Sequence, residues 1–169
     1  MHIVLTSLLV FPLMLIEARR AARNEAAQRS HGGIEPAGDV YDLMRVAYPV
    51  AFLGMIAEGI ARGTSSSWFT GGTALFILVK GLKWWAILSL ERRWTFRLIV
   101  VPGDARVGTG PYRYLRHPNY IAVIGELGAT ALMTGARISG PIGTLVFGVL
   151  ILRRIALEDR ALDAILRPS

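Results

Sequence analysis

Five apolar segments, at about 2–18, 43–62, 68–90, 119–135 and 139–157, leave this 169-residue chain few ways to fold. Each approaches the ~20 residues that a helix needs to cross a bilayer, the first and fourth being short. Hydrocarbon offers backbone polar groups no partners, so an open chain crosses it only as helices. The expectation is an all-α, polytopic membrane helical bundle of about five transmembrane helices, forming a single domain over residues 1–169. Charged residues make up 18% of the chain, against about 25% in soluble domains. The formal net charge of +7 does not argue for nucleic acid, because the arginines cluster beside the apolar runs. The first run is not read as a secretory signal: Arg19, Arg20 and Arg23 follow its apolar core instead of preceding it. It reads as a retained anchor.

Arginine placement gives the orientation. With five spans, one side receives residues 19–42, 91–118 and the C-terminal end. That side holds Arg19, Arg20, Arg23, Arg29, Arg92, Arg93, Arg97, Arg106, Arg113, Arg116, Arg153, Arg154, Arg160 and Arg167. The other side has Arg62 and Arg137, while Arg45, Lys80 and Lys83 lie within spans. Basic loops stay in the cytoplasm, so the N-terminus is expected outside and the C-terminus inside. Residues 24–40 read as a polar loop, Gly63 to Ser67 as an external turn, and Gly135 to Pro141 as a tight hairpin. Residues 91–118 form the longest polar connection, and loops of such length are often functional.

That connection ends in Gly110-Pro-Tyr-Arg-Tyr-Leu-Arg-His-Pro-Asn-Tyr120, a basic, aromatic run leading straight into an apolar helix. Gly108 and Gly110 permit close approach of a ligand to the backbone. Pro118 suits the first turn of a helix, where its missing N–H costs nothing. His117 then sits at the cap and Tyr120 about one turn inward. Free N–H groups at such an end favour an anion, and the rings of Tyr112, Tyr114 and Tyr120 offer faces to a cation. The same residues also make an ordinary helix cap and an ordinary interfacial belt. Gly108-Thr-Gly110 is no dinucleotide fingerprint, since its third glycine and any βαβ context are missing.

The eleven-residue run resembles the signature of the isoprenylcysteine carboxyl methyltransferase family, in its small bacterial integral-membrane branch. The resemblance extends over roughly residues 80–166, into Arg93-Trp-Thr-Phe-Arg97 upstream and Arg154-Ile-Ala-Leu-Glu158 downstream. It implies an S-adenosylmethionine-dependent methyltransferase in a bacterial cytoplasmic membrane, its site facing the cytoplasm. It implies cofactor contacts from Gly108, Gly110, Tyr112, Arg116, His117, Pro118, Tyr120 and Glu158.

Arg154 and Glu158 are four apart on the last helix and share a face. By resemblance they sit at the mouth of the site, Glu158 toward the cofactor's amino or sulfonium group and Arg154 holding an acidic group of the acceptor. The alternative is a surface pair worth only tenths of a kcal/mol. Successive helix residues are about 100° apart, so Glu158 is expected to face the site and Asp159 to turn aside. Glu126 lies inside the fourth span, where a charge is costly and faces the bundle interior or a cavity. It is a candidate base for a hydroxyl acceptor; pairing with Lys80 or Lys83 is the favoured alternative. Trp84, Trp85 and Trp94 read as belt or packing residues, and Glu58 as interfacial.

The chain contains no cysteine, which excludes disulfides and thiolate sites. His2 and His31 lack a ligand pattern, so no metal is expected. The expected acceptor is lipophilic and reached through the membrane lipid: a long-chain alkylpyrone or alkylresorcinol, or a prenylated carboxylate. Phospholipid N-methyltransferases share a similar Arg-His-Pro-x-Tyr motif, and membrane sterol reductases, which bind NADPH, resemble the C-terminal half. A non-enzymatic membrane protein retaining the fold is the third alternative.

Overall fold

The computed structural model describes residues 1–63, 66–104 and 107–166, with side chains as far as residue 164. Arg106, Arg167 and part of the expected external turn lie outside these. Five helices follow in order: α1 (His2–Ser30), α2 (Tyr41–Arg62), α3 (Phe69–Leu90), α4 (Pro118–Thr134) and α5 (Ser139–Leu166). Two short 3-10 turns, Glu91–Arg93 and Gly110–Arg113, lie in the connection between α3 and α4. The described residues form no strand beyond one antiparallel bridge between Ile34 and Val100.

Four helices, all but α4, are long and apolar enough to cross a membrane. The chain is a helical membrane bundle. At 17 residues, α4 stands at the lower limit for a span, but it is the most enclosed helix. Ala122, Leu127 and Ala129 are fully buried, and the core around them includes Phe52, Met55, Phe76, Met133 and Phe147. Helix α3 packs closely along it: a Cβ on Gly72 would come within 2.9 Å of the Ala129 carbonyl and Met133. Lipid tails are as apolar as leucine, so such close approach, rather than water exclusion, holds spans together.

One boundary differs from expectation. The apolar part of α1 ends near residue 18, but the helix continues to Ser30, and the loop shrinks to residues 31–40. The continuation, Ala18-Arg-Arg-Ala-Ala-Arg-Asn-Glu-Ala-Ala-Gln28, consists largely of strong helix formers. Their helix simply projects past the apolar stretch. At the opposite end of the bundle, Glu58 of α2 accepts the backbone N–H groups of Arg137, Ile138 and Ser139. These are orphan donors at the start of α5, so the carboxylate expected to be merely interfacial caps a neighbouring helix.

The projecting end of α1 organises the connection that leads to the signature. Asn24 donates to the carbonyls of Glu91 and Trp94, and Gln28 to that of Arg92. Glu25 accepts the N–H groups of Phe96 and Arg97. Arg97 in turn pairs with Glu35 at 2.7 Å and Asp42 at 3.2 Å. Residues 91–100 are thereby strapped across the ends of α1 and α2, although their backbone lacks regular partners of its own.

Candidate active site

A cavity of about 610 Å³ opens beneath this strap. Residues from α1, α2, α4, α5 and the strap line it, with Lys83 from α3 at its inner end. Phe147 and Glu158 both line it and, at 1.5 Å of rise per residue, are ~16 Å apart along α5. It therefore reaches from the polar end of the bundle well into the spans.

The signature forms part of the cavity mouth. Gly110 has φ +59, and a Cβ there would lie 1.9 Å from Ser89 Oγ, so only glycine fits between the turn and α3. The 3-10 turn that follows presents Tyr112 to the cavity. Burial, with Glu158 adding to it, pushes the Tyr112 phenol well up from its ordinary range, so it stays protonated. His117 is the residue before α4, Pro118 the first of that helix, and no side chain caps it. The His117 ring stands 5.7 Å from that of Tyr120, and its Nε2 is 3.6 Å from Asp159 Oδ1. Tyr120 donates to Glu158 Oε2 at 2.7 Å.

Tyr112, Arg116, His117, Tyr120, Arg154 and Glu158 thus line one cavity. Gly108 stands in open space, Gly110 is packed against α3 and Pro118 is buried in the helix start; none of the three lines the cavity. Asp159 departs from expectation, since it lines the cavity beside Glu158. The cavity wraps far enough around α5 to meet two successive residues, and Asp159 faces Arg116 (3.6 Å) and His117. Trp94 packs against Ala21 and Ile87 and also lines the cavity, and Trp85 is half exposed.

Arg154 differs from expectation in its partner. It is 5% exposed and pairs with Asp39 of the 31–40 loop, while its Nη2 donates to the Phe96 carbonyl at 2.7 Å. Asp39 also accepts the N–H groups of Tyr41 and Leu98. The guanidinium charge is therefore already matched within the protein; its buried Nε makes no hydrogen bond among the described residues, although Arg154 also interacts with the Tyr120 hydroxyl. No sequence signal joins Asp39 to Arg154 across 115 positions. Glu158, by contrast, has no basic partner among the described residues.

Deeper in, Glu126 is enclosed in a four-ion cluster. Lys80 lies 2.8 Å from Glu17 and 2.7 Å from Glu126; Lys83 lies 2.7 Å from Glu17 and 3.1 Å from Glu126. Tyr48 of α2 donates its hydroxyl hydrogen to Glu126 through a short hydrogen bond. Two cations and two anions cancel, which is how such groups persist in a membrane interior. Glu17 and Tyr48 were not singled out from sequence. An acid inside the first apolar segment was a legible signal for Glu17; nothing marked Tyr48.

Cavity, signature and the Arg154–Glu158 helix define a membrane-embedded class of helical proteins with one polar-mouthed site. A model described as the isoprenylcysteine carboxyl methyltransferase (ICMT) family matches residues 72–164. A Bacillus subtilis relative, the uncharacterized protein YpbQ, is 34% identical over 144 residues, covering 85% of this chain and 86% of its own. An uncharacterized protein of Haemophilus influenzae is 24% identical over 143 residues, covering 83% of each chain. No solved structure matches. The chain belongs to the isoprenylcysteine carboxyl methyltransferase family, whose name describes methyl transfer.

Proposed function

We propose that the protein is an S-adenosylmethionine-dependent O-methyltransferase whose acceptor is a membrane-dissolved amphiphile with an ionisable oxygen and a long apolar tail. The observation that carries this reading is the single cavity shared by the signature, the Arg154–Glu158 helix and the interior of the spans. Its volume lies within the ~300–1,000 Å³ typical of small-molecule sites. The donor set also fits the cofactor. Glu158 suits a cationic amino or sulfonium group, the Tyr112 and Tyr120 rings suit adenine or the sulfonium, and the open start of α4 suits a carboxylate.

When bound, S-adenosylmethionine supplies an electrophilic methyl group, and the protein's part is to bind, align and exclude water. Tyr120 fixes Glu158 through Oε2, keeping the carboxylate at the mouth. There it balances a cationic ligand or takes the proton released from a hydroxyl acceptor. Arg154, matched by Asp39, serves as a fixed hydrogen-bond donor rather than a free cation. A weakly acidic hydroxyl suits that wall better than a carboxylate does. The tail lies among apolar residues such as Met14, Met44 and Val123, each buried CH₂ contributing roughly 0.8 kcal/mol. The arginine-rich end that bears the mouth is assigned to the cytoplasm.

Calorimetric titration of the purified protein with S-adenosylmethionine and with NADPH tests the cofactor. Binding of the former alone is expected, and His117→Ala should weaken it while the protein stays folded. Labelled methyl transfer in nanodiscs to alkylpyrones and alkylresorcinols of increasing chain length, beside a prenylcysteine, tests the acceptor. Transfer should rise with chain length; preference for prenylcysteine would overturn the hydroxyl assignment, and efficient transfer to tailless acids would overturn the lipid one.

A further inference from the structure

The inner end of the cavity carries polar atoms that methyl transfer at the mouth does not use. Lys83 is 2% exposed yet lines the cavity. Its ammonium has three protons, of which Glu17 Oε2 and Glu126 Oε2 take two. Tyr48 also lines the cavity, its ring edge-on to Phe52 at 4.8 Å and 5.0 Å from Phe147. Its hydroxyl gives its hydrogen to Glu126 and keeps lone pairs free. The Lys83 ammonium stands 5.5 Å from the centre of the Tyr48 ring. Beside these rings the cavity therefore meets one N–H of Lys83 and the lone pairs of Tyr48 that no described residue takes up.

We propose that Tyr48 and Lys83 form an anchor for a second hydroxyl of the acceptor, separate from the oxygen that is methylated. This rests on the methyl-transfer reading above and specifies its substrate class. A hydroxyl is the group that uses both atoms at once, donating to Tyr48 Oη and accepting from Lys83 Nζ. A charged group does not suit the place: Lys80, Lys83, Glu17 and Glu126 already cancel, and an added ion would stand uncompensated where desolvation is costly. The same cancellation argues against proton uptake by Glu126, because protonating it leaves two lysines facing one carboxylate. Glu126 acts here as a positioning residue that holds Tyr48. The anchor fixes a polar ring between mouth and cluster and leaves the tail to pass among the helices.

The test compares three probes of equal chain length: a 5-alkylresorcinol, the matching 3-alkylphenol with one hydroxyl, and the resorcinol with one hydroxyl capped as a methyl ether. Binding is measured to purified protein in detergent. Wild type should prefer the resorcinol over both others by about tenfold, the scale of a hydrogen bond made in a dry site. Tyr48→Phe conserves volume and leaves Glu126 its two lysines; it should reduce the preference to about twofold or less while alkylphenol affinity stays unchanged. Equal wild-type affinity for the three probes would overturn the anchor whether or not the variant folds, as would a preference surviving in folded Tyr48→Phe. A parallel S-adenosylmethionine titration separates the two claims. A Tyr48-dependent preference without cofactor binding removes the methyl-transfer reading and leaves a diol-binding site. Cofactor binding and methyl transfer without that preference do the reverse.

Discussion

The two ends of the cavity use the same kinds of residue in opposite ways. At the inner end, Lys80, Lys83, Glu17 and Glu126 are almost wholly buried and neutralise one another in charge. At the mouth, Arg97 and Glu35 are more than a quarter exposed, and Arg116 is largely in solvent. Water screens these pairs, and each contributes little alone. The inner charges are a closed set whose value lies in completeness. The mouth charges are an open set, and among the described residues Glu158 there has no basic partner.

Breaking the closed set should have the largest effect. Glu17→Gln leaves two buried lysines with one carboxylate, and removing one member of a buried ion pair costs about 3–5 kcal/mol. Thermal unfolding in detergent should show a large loss, and the charge-balanced Glu17→Gln/Lys80→Met double variant should recover part of it. Equal stability of Glu17→Gln and wild type would mean that the cluster is not closed.

The open set should respond in activity rather than stability. Glu158→Gln should lower methyl transfer by at least about tenfold, the scale of a lost charge-assisted contact, with little change in unfolding. Asp159→Asn should cost less, because Asp159 faces the cavity through Arg116 and His117. Reversed losses would move the ligand contact to Asp159.

Gly110→Ala joins the two kinds of effect. It places a Cβ on a positive-φ residue and against Ser89, costing about 1–3 kcal/mol and displacing the turn that carries Tyr112. Cofactor affinity should fall in calorimetry. The companion variant Gly110→Ala/Ser89→Gly, which clears the contact but not the backbone strain, should regain only part.

Acidification should give the smallest effect. Hydrogen bonding and charge from Arg97, with help from Arg29, hold Glu35 below the usual carboxylate range. A depressed carboxyl contributes stability that is complete above its unfolded value and is lost as pH falls through the folded one. The strap should therefore loosen only below about pH 4.5, and only slightly, because Glu35 is solvent-accessible. Hydrogen exchange of residues 96–100 against pH measures it; Glu35→Gln should flatten the profile.

By itself the sequence determined the helical membrane bundle, because apolar runs of span length admit no other backbone solution. It also marked the run from Gly110 to Tyr120 and the Arg154–Glu158 pair by their resemblance to a family signature, with local spacing placing the pair on one helix face. The lysines of α3 announced that they needed counter-charges, although two acids and not one proved to supply them. Only the tertiary structure decided that Asp39 neutralises Arg154, that α1 runs on to hold the 91–100 strap, and that Tyr48 meets Glu126. Those partners come from separate elements, and their pairing follows from how the helices stack in three dimensions. In a low-dielectric interior that stacking determines which charges are silent and which are free to act.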